Sequence, residues 1–380
     1  MNCHIIDFWY VFPLKGLDSH CDFAVILQHK NSTGQSAVTD SLTLNIQNMN
    51  TNTSIAPASS LELTQEWDKV FPKSEMVDHR KVTFVNRYGV TIAADMYTPK
   101  NATGKMAAIA VSGPFGAVKE QSSGLYAQQL AERGFLTIAF DPSFTGESGG
   151  QPRRVASPDI NTEDFSAAVD FLSVQPDVDM DRIGILGICG WGGIAIQAAI
   201  NDPRIKATVA ATMYDMTRVV ANGYFDADDS AEKRNANRRA LAAQRTEDYR
   251  RGEYLRAGGV ADPVPDDAPQ FLKDYHAYYK TSRGFHPRSG NSTDGWNSTS
   301  ALPFMNFKFF EYADELENAV LIVHGDKAHS YYFGKDTFAR LKGSNKQMLT
   351  VNGASHCDLY DQLDIIPFNE IAAFYSMYLL

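Results

Sequence analysis

The stretch Arg182-Ile-Gly-Ile-Leu-Gly187-Ile188-Cys189-Gly190-Trp191-Gly192-Gly193-Ile-Ala-Ile-Gln-Ala-Ala-Ile200 decides the reading of this chain. Its first half is a short apolar run of the buried-strand type, and its second half is a small-residue helix pattern. Between them stands Cys189, flanked by Gly187 and Gly190. A nucleophile at a sharp strand-to-helix corner needs small neighbours, because strand and helix pass close together there. The corner also puts the thiol at a helix N-terminus, where partial positive charge favours the thiolate. Trp191 departs from the elbow pattern two residues after the nucleophile, which leaves Gly192 and Gly193 to supply the space. Two other readings compete. Cys189 could be a small buried residue and nothing more. Alternatively, Gly190-Trp-Gly192-Gly-Ile-Ala195 fits a dinucleotide fingerprint, with Asp215 twenty residues after Ala195. Such a fingerprint normally sits on the first strand of its unit, whereas two parallel-type strands precede this one.

Outward from the elbow, apolar runs alternate with helical patterns. Lys81–Asn86 and Thr91–Thr98 predict an antiparallel hairpin turning at Tyr88-Gly89. Strand patterns follow at 107–111, 135–140, 205–212, 319–323 and 347–351, with helical patterns at 126–133, 161–172 (capped by Thr162), 336–341 and 368–379. This rhythm predicts a mostly parallel sheet covered by helices on both faces. It stops after Thr212 and resumes at Ala319. A helical cap is therefore expected over 213–317, inserted into a core made of 65–212 and 318–380. Residues 1–64 are expected to be a poorly ordered N-terminal extension.

Composition sets the outer bounds. The 380 residues are 44% hydrophobic and 21% charged, with a net charge of −10. That is ordinary globular composition and a poor electrostatic match for nucleic acid or anionic lipid. No apolar run reaches the ~20 residues of a membrane-spanning helix. Ile5–Leu14 is too short, and lacks the basic lead and the cleavage site, to be read as a signal peptide. Cys3 and Cys21 lie in the extension. The body keeps only Cys189 and Cys357, which fits a reducing, cytoplasmic setting.

A thiol nucleophile needs a base and a group to orient it. Val320-Leu-Ile-Val-His324-Gly325-Asp326 reads as a strand ending in an acid, and His356 follows the next strand in a loop before the last helix. Cys189, Asp326 and His356 are thus expected as a triad, with Asp215 as the alternative acid. In many such enzymes the acid stands four residues after the His of the His-Gly pair, which here is Ala328. The oxyanion hole is expected from the Gly190 amide and an amide of Ser112-Gly113-Pro114-Phe115-Gly116. Pro114 cannot donate, so Phe115 is the expected second donor. His324, His329, Cys357 and the loop Asp141–Gly149 are expected to be structural.

These segments together resemble the α/β-hydrolase superfamily over about residues 65–380. Within it, the chain is similar to the dienelactone-hydrolase-related and Xaa-Pro dipeptidyl-peptidase-like group, and to fungal polyketide acyltransferases. Dienelactone hydrolases also use a Cys-Asp-His triad, and Cys189, Asp326 and His356 match those roles. The resemblance implies an α/β-hydrolase fold and acyl chemistry on a small-molecule ester, thioester or lactone, with no metal or organic cofactor. Hydrolysis is the expected outcome. Transfer to another acceptor is the alternative, and a dinucleotide-binding oxidoreductase a more distant one. Oligomeric state, homo-oligomer included, stays open.

Overall fold

The computed structural model describes residues 60–379 and five short strands before them. The chain divides into two compact units, Met1–Ile55 and Ala56–Leu380. In the first, β1 (Val11–Pro13), β2 (Phe23–Val25) and β5 (Leu42–Thr43) pair antiparallel, as do β3 (Gln28–Lys30) and β4 (Ser36–Val38). The rest of the expected extension up to residue 59 lies outside the described residues.

The second unit is built on an eight-stranded sheet. Its strands are β6 (Val77–Val85), β7 (Thr91–Pro99), β8 (Met106–Ser112), β9 (Leu136–Phe140), β10 (Val178–Ile188), β11 (Ala207–Ala211), β12 (Ala319–Gly325) and β13 (Lys346–Val351). They lie in the order β13-β12-β11-β10-β8-β9-β7-β6. β7 is antiparallel to both its neighbours, and every pair from β9 to β13 is parallel. This is the α/β-hydrolase fold. Successive side chains point to opposite faces, and both faces are covered, so β8, β9, β11 and β12 are buried along their whole length. Ala108 and Ala110 of β8 face one core with Phe165 and Ile194, while Ala107, Ile109 and Val111 face the other with Tyr126 and Phe374. Each fully buried large apolar side chain contributes about 1.5–3 kcal/mol.

The helices α1 (Ser122–Ala131), α9 (Asp358–Asp361) and α10 (Phe368–Tyr378) pack with the second core, and α2 (Pro158–Ser173) and α3 (Gly190–Asn201) with the first. The start of α2 corrects the sequence reading. Ser157 caps it by accepting from the Ile160 N–H, and Pro158 takes the first helical position, where a missing N–H costs nothing. Thr162 lies inside the helix, its hydroxyl donating to Pro158 O at 2.6 Å. Between β11 and β12 run α4 (Met216–Asn222), α5 (Ala231–Arg251), α6 (Gln270–Tyr279) and α7 (Ala301–Asn306), and α8 (Tyr331–Arg340) follows β12. No described helix is long and apolar enough to cross a membrane.

Candidate active site

The corner between β10 and α3 holds Cys189 at φ 59°, ψ −127°. An L-residue adopts such angles only when its surroundings over-determine them. Here the Cys189 N–H donates to Ala211 O (2.9 Å), and its carbonyl accepts from the Tyr214 N–H (3.0 Å) and the Gly192 N–H (2.9 Å). The glycine requirement is steric. A Cβ at Gly187 would overlap the Trp191 carbonyl, and one at Gly190 would meet Met216 Sδ and Phe115 Cβ. Trp191 fits because its ring turns into the core, edge-on to Phe140 and Phe165.

Cys189 is 6% exposed, and burial pushes its thiol pKa up. The Tyr360 hydroxyl and the N–H groups of Phe115 and Gly190 act against that, each stabilising the thiolate. The two amides expected to form an oxyanion hole therefore both act on the thiol.

His356 sits between β13 and α9, and three hydroxyls surround its imidazole. Nε2 pairs with Tyr360 Oη at 3.0 Å, while Nδ1 pairs with Ser330 Oγ at 2.6 Å and Thr212 Oγ1 at 2.9 Å. Burial, with His329 and His324 nearby, holds its pKa well below the usual histidine value. At rest the thiol and the imidazole are accordingly both neutral, with Tyr360 bonded to His356 and acting on the thiol.

The structure places neither candidate acid on His356. Asp326 is about a third exposed, and its Oδ1 accepts the Gly353 N–H at 2.7 Å. Its backbone N–H donates to Val351 O. It thus pins the turn that carries His356 through the main chain and not through the imidazole. Asp215 caps α4, accepting from the Arg218 N–H at 3.0 Å and the Thr217 hydroxyl at 2.6 Å. His329, expected to be structural, stacks on Phe271 and bonds Tyr214 Oη. Its pKa is pushed down to about 3 by burial.

Tyr360, Ser330, Thr212 and Asn291 were missed by sequence reasoning. Two signals were present. Tyr360 stands four residues after His356, the spacing of one helical turn. Ala328, where an acid was due, has Ser330 two residues on. Asn291 gave none, because only the fold brings it to the Phe115 loop. There its Nδ2 donates to Phe115 O at 2.7 Å and its N–H to Gly116 O at 3.1 Å, while Ser289 Oγ donates to the same Gly116 carbonyl at 2.9 Å.

Below that loop lies a buried charge cluster. The Lys119 ammonium bonds Glu120 (2.6 Å), Asp141 (2.9 Å) and Glu147 (2.7 Å). Burial alone would lower the lysine pKa, but Asp141 and the other carboxylates hold it well above the ordinary value. These three carboxylates lie close enough to hold a cation, and the ammonium fills that role. Arg288 joins from the inserted segment, 2.8 Å from Glu120 and 2.6 Å from Asp68.

Cys189 opens into a cavity of about 420 Å³. Phe115 and Tyr360 of the core line it with Met216, Leu272, Tyr275 and Asn291 of the insertion.

Strand order, elbow and loop histidine define an α/β-hydrolase. More narrowly, the chain belongs to the X-Pro dipeptidyl-peptidase (S15) family, whose pattern matches residues 88–358. It is 56% identical over 321 residues to the protein PA2218 of Pseudomonas aeruginosa, covering 84% of this chain and 86% of that one. The crystal structure of PA2218 superposes with a TM-score of 0.81 at 54% identity, over 84% of this chain and 99% of that chain. The α/β hydrolase GrgF from a Penicillium species shares the fold, with a TM-score of 0.67 at 17% identity over 80% of this chain and 99% of its own. The thiohydrolase aneE of Aspergillus aculeatus is 32% identical over 137 residues, 36% of this chain and 42% of that protein.

Proposed function

We propose that this chain is a hydrolase of esters, thioesters or lactones that works through an acyl-enzyme on Cys189. The observation that carries the reading is the strained corner at Cys189, whose thiol is acted on by the Phe115 and Gly190 N–H groups and by Tyr360, itself bonded to His356. The likeness to a fungal thiohydrolase supports the substrate class.

In the first half-reaction the Cys189 proton passes to the Tyr360 oxygen as the Tyr360 proton passes to His356 Nε2. The Cys189 Sγ–C bond forms, and the carbonyl oxygen takes the electron pair and rests on the Gly190 and Phe115 N–H groups. Collapse breaks the bond to the leaving group, which takes a proton back from His356 through Tyr360. In the second half-reaction water loses a proton to His356 and adds to the thioester carbonyl. Cys189 then leaves and is reprotonated, and the acid is released. The Ser330 and Thr212 hydroxyls keep Nδ1 paired, so that Nε2 faces Tyr360. Asp326 serves only the turn. Transfer to a second nucleophile is the alternative fate of the same acyl-enzyme.

The test is a panel of p-nitrophenyl esters, acyl thioesters and lactones, followed by intact-mass measurement for an adduct on Cys189. Turnover by the wild type, an adduct on that residue and loss of both in Cys189→Ala are expected. Full activity in Cys189→Ala would overturn the reading.

A further inference from the structure

We infer that the pocket over Cys189 takes an uncharged, apolar acyl group and rejects acyl groups bearing an ammonium or a carboxylate, X-Pro dipeptides with a free amino terminus included. This rests on the acyl-enzyme reading above and names its substrate class. Among the described residues no lysine, arginine, aspartate or glutamate lines the cavity; its walls are Met216, Val219, Val260, Val264, Leu272 and aromatic rings. The polar atoms present are tyrosine hydroxyls and the Asn291 amide, and these stay neutral. Burial raises the pKa of Tyr214, Tyr275, Tyr279 and Tyr360, and lowers those of His329 and His356. An α-ammonium buried in this cavity would need a carboxylate beside it. Here Asp215 is spent on the cap of α4, and Glu120, Asp141 and Glu147 are spent on Lys119. A charged acyl group would therefore lose its water with no partner in return, at a cost of at least about 100-fold in binding. An apolar chain gains up to about fourfold per buried methylene. The cavity is near the small end of the usual ~300–1,000 Å³ for small-molecule sites, so the gain stops at a modest chain length.

The experiment has two arms. In the first, p-nitrophenyl hexanoate, 6-aminohexanoate and mono-adipate, together with Gly-Pro p-nitroanilide, are compared by kcat/KM and by mass of the Cys189 adduct. In the second, hexanamide, 6-aminohexanamide and adipamate are titrated calorimetrically into Cys189→Ala, where no chemistry is needed. Preference for the neutral compound by about 100-fold or more is expected in both. Leu272→Glu should narrow the gap for the ammonium compound alone. Absence of any Cys189 adduct alongside neutral preference in the second arm would sink the acyl-enzyme reading but leave the pocket inference standing. Equal binding of neutral and charged amides would overturn the inference.

Discussion

Replacing Asp326 by Asn separates a hydroxyl-held histidine from a carboxylate-held one. In a Ser-His-Asp enzyme, loss of the acid's charge drops kcat by about 10⁴. Here Asp326 accepts one backbone N–H, from Gly353, and is partly exposed. An Asn oxygen can accept the same bond, so the change is from a charge-assisted to a neutral bond, about 1 kcal/mol or roughly fivefold in rate if the turn loosens. The opposite holds behind Nδ1. Ser330→Ala removes the 2.6 Å partner but leaves Thr212 at 2.9 Å, a loss of about 1 kcal/mol. Ser330→Ala with Thr212→Val leaves a buried ring nitrogen without a partner, and the combined loss should reach ~100-fold or more, exceeding the product of the single effects. The assay is kcat and kcat/KM on an activated ester for the wild type and four variants, Thr212→Val alone included, with thermal unfolding to confirm that each folds. A 10³-fold loss in Asp326→Asn, together with near-wild-type rates in the double variant, would refute the argument.

Other consequences can be measured directly. Because burial raises the Cys189 thiol pKa, alkylation by iodoacetamide should be slow at pH 7 and still rising above pH 9; thiolate absorbance at pH 6 would contradict this. Tyr360→Phe should slow acylation about 10²-fold or more and change the pH profile, because it removes the proton path while keeping the ring; an unchanged profile would eliminate the relay. Asn291→Ala should cut kcat about tenfold with little change in KM, since it frees the Phe115 loop, and a pure KM effect would count against that role. His324 and His329 stay neutral in the fold down to about pH 4 and pH 3, and both gain protons on unfolding below pH 6.5. Stability should therefore be retained above pH 6.5 and decline as pH falls toward 4, by up to about 1.4 kcal/mol per pH unit per histidine. Equal urea midpoints at pH 7 and pH 5 would contradict it.

The parallel sheet was legible because its strands are buried on both faces, so 107–111, 135–140 and 319–323 read as unbroken apolar runs. The elbow was legible because close packing leaves only glycine at Gly187 and Gly190. Helix starts were less so: α1 begins at Ser122 and α8 at Tyr331, each ahead of its clearest periodicity. The group behind His356 was misread for a physical reason. An acid at a strand end is a local pattern, whereas the direction of its carboxylate depends on the turn it meets. Asp326 meets Gly353, and the ring nitrogen meets hydroxyls from two other strand ends.

Arg288, Ser289 and Asn291 span four residues of the insertion, yet they complete the charge cluster around Lys119 and fasten the Phe115–Gly116 backbone. An insertion wired in this way is part of the frame that holds the Phe115 loop and is not an interchangeable accessory. Swinging it open as one body would take Arg288 from Glu120 and Asp68 and unfasten the Phe115–Gly116 backbone. Anyone grafting the insertion of a relative onto this core to change its substrate would have to keep these three residues in register, or lose the machinery together with the old specificity.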